Sequence, residues 1–252
     1  MSQLNLDDVV AYIQANIGPE FHDKKIDKLK KLKIDDIVKR KNPYLFKAKG
    51  TDTANDFVKA VLDATVSSGE ETMFGNFLEK IAIEVCKQVR GGRKSGVKGL
   101  DLEFEEGHTK YLISIKSGPN WGNSSQIEAL IKKFNDAKKT LATSGGVAGL
   151  TIVCIEACCY GTDNNPEKGT HQKLCGQRFW ELISGGNETL YRDIIEPLGH
   201  EAKNKNEALA LLYTRKLNGF TAEFVTKFCS DGVIDWDKLI AYNSAKRAAG
   251  AG

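Results

Sequence analysis

Between Leu100 and Lys116 the sequence alternates with a period of two on either side of a turn, while the segments around it carry the period of a helix. Leu100, Leu102 and Phe104 are expected to face one way, with Asp101, Glu103 and Glu105 facing the other. Glu106-Gly107-His108 reads as a hairpin turn. On the return strand Tyr111, Ile113 and Ile115 share one face, and Leu112, Ser114 and Lys116 share the other. Upstream, Phe74, Phe77, Leu78, Ile81, Ala82, Val85 and Val89 make one apolar face of a helix over residues 72–89. Downstream, a Gly/Asn-rich loop (117–123) leads into a helix over 125–141, and the nearly all-apolar run 150–157 reads as a strand covered on both faces. Helix, strand, hairpin, strand, helix, strand is the order of an α/β core.

Helices flank this core. Val9, Val10, Ile13 and Ile17 recur at helical spacing over 6–17, and Ile26, Leu29, Leu32, Ile37 and Val38 mark a further helix or two. Asn42-Pro43 stops that pattern, because the residue before proline avoids the helical region. Phe57, Val61, Leu62 and Val66 mark another helix, expected to end at Ser67-Ser68-Gly69. Residues 90–99 read as a loop, and beyond Gly161 the chain is expected to be helical around Phe179, Ile194, Leu209 and Phe224. With no internal repeat and no low-complexity linker, residues 1–252 are expected to form one domain. It comprises a basic helical region (1–69), an α/β core (70–160) and a helical C-terminal region (161–252).

Apolar residues are 41% and charged residues 27%, which excludes collagen-like, mucin-like and largely disordered chains. No apolar run approaches the roughly 20 residues a spanning helix needs, so no membrane is expected as a partner. Residues 1–10 carry acids and no basic region before an apolar core, so secretion is not indicated. The six cysteines are accordingly expected to be reduced thiols in the cytoplasm. Cys154, Cys158, Cys159, Cys175 and His171 do not make a zinc site on this reading: there is no CxxC pair, and Cys154 belongs to an apolar strand. The net charge of +3 hides an asymmetry: residues 24–49 hold eleven Lys/Arg and three Asp, a local +8, and the rest sums to −5. That stretch fits a polyanion partner as well as it fits a solvated basic helix and loop.

Asp101 sits near the start of one strand and Lys116, fifteen residues later, ends its partner, so a hairpin brings the two together. A structural salt bridge at a sheet edge satisfies such a pair. So does phosphodiester hydrolysis: a carboxylate binds Mg²⁺, which polarises the phosphate and acidifies its water, and a lysine orients or deprotonates the attacking water. One carboxylate is a poor magnesium site, so a second acid is wanted nearby.

Asp101 followed by Ser114-Ile115-Lys116, on a hairpin after a helix bearing Glu79, resembles the PD-(D/E)xK nuclease superfamily. Longer words resemble the PmeII family of type II restriction endonucleases: Lys41-Asn42-Pro43-Tyr44-Leu45-Phe46, Gly92-Arg93-Lys94-Ser95-Gly96, and the run from Lys98 to Phe104. So do the run from Ser114 to Asn123, Cys158-Cys159-Tyr160-Gly161, and Cys175-Gly176-Gln177-Arg178-Phe179-Trp180. The resemblance covers most of the chain. It implies a restriction-endonuclease-like mixed sheet flanked by helices, and a Mg²⁺-dependent, sequence-specific endonuclease acting on double-stranded DNA as a homodimer. A cognate DNA methyltransferase would be its functional counterpart.

Ser114 departs from the superfamily pattern, which has an acid two residues before the lysine. The resemblance extends to a serine-variant group of restriction enzymes in which a glutamate on the following helix fills the gap, and Glu128, twelve residues after Lys116, corresponds to it. Ser125-Gln126-Ile127-Glu128 also spells a capping box, in which Glu128 merely closes a helix N-terminus. Glu79 on the preceding helix is an equal candidate, with a surface charge as its plain reading, and Glu103 is a third. Candidate metal ligands are thus Asp101, Glu128 and Glu79; Asp101, Lys116, Ser114, Glu128 and Glu79 make the candidate catalytic set.

Lys39, Arg40, Lys41, Lys47 and Lys49 are placed for general phosphate contacts. Arg93, Lys94 and Lys98 precede Asp101 and serve equally as phosphate ligands beside the scissile bond or as solvated loop charges. Asn120 and Trp121 lie in the glycine-rich loop, where Trp121 either packs on the sheet or meets DNA. Because of Ser114, a DNA-binding protein of the same fold without cleavage stands as an alternative, beside a structure-specific repair nuclease.

Overall fold

A computed structural model describes residues 3–143 and 149–246. The chain begins with α1 (Leu6–Ile17) and a π-helical turn (Gly18–His22), followed by α2 (Asp23–Lys31), α3 (Ile34–Arg40), α4 (Pro43–Ala48) and α5 (Ala54–Arg90). The core then runs β1 (Arg93–Lys94), β2 (Leu102–Glu106), β3 (Thr109–Lys116), α6 (Ser124–Thr143), β4 (Thr151–Cys158) and β5 (Gln172–Cys175). Short helices α7 (Gln177–Ile183), α8 (Leu190–Asp193) and α9 (Ile195–Leu198) lead to α10 (Ala202–Phe228). The hairpin β6 (Cys229–Ser230) and β7 (Val233–Ile234) precedes α11 (Trp236–Ser244). No helix among the described residues is long and apolar enough to cross a membrane.

The chain divides into two compact units. One holds Met1–Gly18 and Phe74–His200, the other Pro19–Met73 and Glu201–Gly252, and the residues of α5 are shared between them.

The first unit holds the sheet, in the order β1-β2-β3-β4-β5. β1, β2 and β3 are antiparallel neighbours, whereas β4 runs parallel to β3 and β5 parallel to β4. The parallel step needs a crossover, and α6 supplies it. Leu112 and Cys154 lie side by side across β3 and β4, and with Leu100 they form a cluster with Leu130, Phe134 and Ala137 of α6. At the end of α5, Arg90 stacks on Phe104 and pairs with Glu106 at 2.6 Å; Gly75, near its other end in this unit, lies against Ser117.

Three expectations about this unit change. Leu100 does not share a face with Leu102: regular pairing begins only at Leu102, and Leu100 turns to the α6 side after a 3.1 Å bond from its N–H to the Val97 carbonyl. The 90–99 segment is not wholly loop, because Arg93 and Lys94 pair with Glu103 and Leu102. Nor is the chain wholly helical after Gly161: Gln172–Cys175 adds a strand beside β4.

In the second unit a cluster of Leu29, Ile34, Ile37, Val38, Phe46, Phe57, Val58, Val61 and Leu62 meets Phe220, Phe224 and Phe228 of α10. Asn42 caps α4, accepting from Tyr44 N at 3.0 Å, and Pro43 occupies the first helical position, where its missing N–H costs nothing. Ser67-Ser68-Gly69 does not end a helix: α5 runs through it for 37 residues. Thr65, Ser68 and Thr72 turn their hydroxyls onto carbonyls four residues back, at 2.7, 2.8 and 2.9 Å. Gly69 is buried where a Cβ would lie 2.7 Å from Lys28 Nζ, so glycine serves the close approach of α2 rather than a helix stop.

Candidate active site

Asp101 sits just before β2, in the last stretch where the chain is held to β3 without regular pairing. Its N–H donates to Ile113 O at 2.8 Å and its carbonyl accepts from Ser95 N at 3.2 Å. The carboxylate Oδ2 accepts from Ile115 N at 2.7 Å and from Ser114 Oγ at 3.2 Å. Among the described residues no hydrogen bond falls on Oδ1, which is free to serve a ligand.

Ser114 is fully buried, and its hydroxyl works in both directions. It donates to Asp101 and accepts from Lys116 Nζ at 2.8 Å. Lys116 Nζ also donates to Ile115 O at 3.3 Å and lies 4.0 Å from Asp101 Oδ2. It also lies over the Trp121 ring, 4.9 Å from Nζ to the centroid. The hairpin thus brings together the three residues that its alternation places near one another.

The three candidate glutamates differ sharply. Glu79, half-buried on α5, makes no hydrogen bond or ion pair among the described residues. Burial first, and then the nearby Asp101 carboxylate, push its carboxyl up; Lys94, Lys116 and Lys80 oppose the rise. Two carboxylates here share one field, together with Lys116. Glu103 is committed elsewhere: burial works against its charge, but Arg93 (2.7 Å), Ser95 (3.0 Å), Lys110 and the Gly96 N–H hold its carboxyl below the usual range.

Glu128 is exposed on α6 and does not cap that helix. The capping box is two residues earlier: Asn123 Oδ1 accepts from Gln126 N at 3.1 Å, and Gln126 Oε1 accepts from Asn123 N at 3.0 Å. The expected box at Ser125–Glu128 is therefore not formed.

Among the candidate DNA contacts, Arg93, Lys94 and Lys98 are exposed, and Arg93 and Lys98 line an open cleft with Lys110 and Lys133. Arg93 is tied to Glu103, which leaves Lys94 and Lys98 the less committed cations. Asn120 is exposed. Trp121 is half-buried, packed against the α6 cluster, with Nε1 donating to Glu156 at 2.8 Å. Gly118 is buried against the Tyr160 ring, which a Cβ would displace. Lys39, Arg40, Lys47 and Lys49 are exposed in the other unit and Lys41 half-buried; Lys39 lies over Tyr242 and Lys47 over Trp236, at 5.3 and 5.1 Å.

Sequence reasoning missed Glu156, which sits beside Ser114 in the β3–β4 register. Burial disfavours its charge, but donors from His171, Trp121 and Lys173 outweigh that and hold its carboxyl at about 2. A lone acid inside the apolar run 150–157 was the available signal, since a buried charge must be paired or used. His171 is engaged there, and the thiols of Cys86 and Cys159 are pushed up to about 12 by burial, so neither is a ready nucleophile.

A free carboxylate oxygen, a second uncommitted carboxylate and a tethered ammonium at the end of a sheet, beside exposed lysines, suit a phosphate ester. A family model for the type II restriction endonuclease EcoO109I matches residues 7–206.

The chain belongs to that family.

As a member of the EcoO109I family it is a type II restriction endonuclease, a nuclease whose substrate is DNA, in a class that generally uses a divalent metal. The mixed α/β sheet is consistent with a restriction-endonuclease-like fold. No curated protein sequence matches the chain. The match shows a type II restriction endonuclease of the EcoO109I family and does not extend to the PmeII family.

Proposed function

We propose that the protein is a Mg²⁺-dependent endonuclease that cuts specific double-stranded DNA as a homodimer, with Asp101, Glu79 and Lys116 at the cleavage centre. One observation carries this reading: the Lys116 ammonium, tied to Ser114 Oγ at 2.8 Å, lies 4.0 Å from an Asp101 carboxylate that shares its field with Glu79.

The donors suit magnesium. Among the described residues no three His, Cys, Asp or Glu side chains converge as a metal cluster. Magnesium, however, keeps several waters and takes only one or two carboxylates. Asp101 Oδ1 and Glu79 would hold it, and bound there it would supply Lewis-acid polarisation of the phosphate and an acidified water.

The protein's own groups do the rest. Ser114 fixes Lys116 and Asp101 relative to each other, while the metal carboxylate that the resembled superfamily carries at this position is supplied by Glu79. Lys116 offers its N–H groups to the attacking water and to the charge that grows on the phosphate. Lys94 and Lys98 hold the backbone near the break; Arg93, Asn120 and Trp121 border it. Lys39, Arg40, Lys41, Lys47 and Lys49 contribute general phosphate affinity. Glu79 is preferred to Glu128 because its carboxyl responds to Asp101, whereas Glu128 is exposed.

The shared motif words support a place for the chain near the PmeII enzymes. Work in the cytoplasm beside a cognate methyltransferase, and two-fold symmetry on a palindromic or near-palindromic site, belong to the same reading. Phage and plasmid DNA incubated with the enzyme and magnesium should give discrete fragments, and EDTA should abolish them. Binding without cleavage would favour the non-cutting alternative, and cleavage confined to junctions or damaged DNA would favour the repair nuclease.

A further inference from the structure

We infer that Glu156 is a positioning residue for Lys116, acting through Trp121. The inference rests on the reading of Lys116 as the lysine of the cleavage centre. Lys116 has two hydrogen bonds, to Ser114 Oγ and Ile115 O, and both run to its own strand. Apart from the Asp101 carboxylate at 4.0 Å, the group against it is the Trp121 ring, 4.9 Å from Nζ to the centroid. A ring that could swing would leave the ammonium free to follow it.

The ring is held by Glu156. Trp121 Nε1 donates to Glu156 Oε1 at 2.8 Å. The same carboxylate accepts from Lys173 Nζ at 2.9 Å, and His171 Nε2 lies 3.3 Å from its Oε2. Lys173 reaches further: its ammonium also donates to the Pro119 carbonyl at 2.9 Å. The 117–123 loop is therefore pinned twice from β4 and β5, once at its backbone and once at its indole. Glu156 and Ser114 are neighbours across β3 and β4, so the acid that fixes the ring and the hydroxyl that fixes the amine sit side by side on the sheet. A buried carboxylate needs partners, but Lys173 and His171 already provide them. The indole bond adds a link from this buried cluster to the amine.

The test uses the full chain with Trp121→Phe, which keeps an aromatic face but loses the N–H, and Glu156→Gln, which keeps the size but loses the charge. Three quantities are measured: single-turnover cleavage of duplex at saturating enzyme, duplex affinity, and the rate at which acetic anhydride acetylates Lys116 relative to exposed Lys132, read by peptide mass spectrometry. Both variants should cleave more slowly, by about tenfold to 10²-fold, the cost of a misplaced reacting group. Lys116 should label faster in both, and duplex affinity should hold in Glu156→Gln, which leaves every proposed DNA contact in place. The double variant should be little slower than the slower single, because both changes break one link. Wild-type Lys116 labelling in folded Trp121→Phe would overturn the proposal, whatever the cleavage rate, and this variant alone decides if Glu156→Gln fails to fold. If the wild type does not cleave DNA, the cleavage reading falls while the labelling ratio still decides the positioning.

Discussion

The hydroxyl of Ser114 donates to the carboxylate of Asp101 over 3.2 Å while accepting the Lys116 ammonium at 2.8 Å. A serine can do both because a hydroxyl has one proton to give and lone pairs to receive with. It carries no charge for a metal, and in the proposed site the second carboxylate comes from another element, Glu79 of α5. Ser114→Ala should therefore leave the protein folded and lower the cleavage rate by about tenfold through a looser lysine. It should leave the magnesium concentration needed for half-maximal rate nearly unchanged. A large rise in that concentration would make Ser114 a metal ligand.

Glu79→Gln is expected to reduce cleavage by more than about 10²-fold, and Glu128→Gln to leave it nearly intact. Stability should move the other way. The Glu79 carboxyl is raised in the folded chain, so its ionisation destabilises the fold as pH rises from the unfolded value through the raised one. In EDTA at neutral pH, Glu79→Gln should melt slightly higher than the wild type. Recovery of cleavage in Glu79→Gln on adding Ser114→Glu would show that the acid has moved between elements. Loss of cleavage in Glu128→Gln alone would transfer the role to α6.

Glu156 gives a pH signature of opposite sign. Its carboxyl is held at about 2 against an ordinary value near 4.5, so the stability it contributes is complete above 4.5 and disappears as pH falls through 2. Glu156→Gln should cost about 3 kcal/mol at neutral pH, with the gap to the wild type narrowing below about 4.5. Urea melts at a series of pH values measure it. A gap that does not change with pH would mean that shape rather than charge holds Glu156.

How much of this is legible in the sequence differs from element to element. The hairpin that joins Asp101 to Lys116 is legible because Gly107 marks the turn between two apolar-rich runs, although burial on β3 is continuous from Leu112 to Ile115. Leu100 is misplaced because alternation is blind to a turn, Val97 to Leu100, that ends two residues before the strand begins at Leu102. Ser67-Ser68-Gly69 looks like a stop, but the Ser68 hydroxyl bonds within the helix and Gly69 answers to Lys28, a residue 41 positions away. The start of α6 offers two overlapping capping patterns, and only the folded helix chooses Asn123 and Gln126 over Ser125 and Glu128. β5 is four residues long and takes its conformation from β4, so its own pattern is too short to announce it. Glu156 is hidden for a related reason: its three partners come from loop and strand residues whose convergence no local pattern encodes.

The basic residues of the other unit make a separate prediction. If Lys39, Arg40, Lys41, Lys47 and Lys49 touch phosphates, replacing two of them by glutamine should flatten the plot of log affinity against log salt by about 0.9 for each phosphate no longer neutralised. Fluorescence anisotropy with labelled duplex, over a range of salt, reads the slope. An unchanged slope would return this stretch to a solvated face.

The central claim is that Lys116 works with Asp101 at a phosphodiester bond, and single-turnover cleavage of a plasmid carrying the recognition site tests it most directly. Wild type, Lys116→Ala and Asp101→Ala would each be assayed at saturating enzyme with magnesium, alongside their affinity for the same duplex. The account predicts discrete cleavage by the wild type. In both variants it predicts a rate lower by more than about 10²-fold, with binding retained, because the deleted groups stabilise the transition state rather than the bound duplex. Near-normal cleavage by folded Lys116→Ala would contradict it.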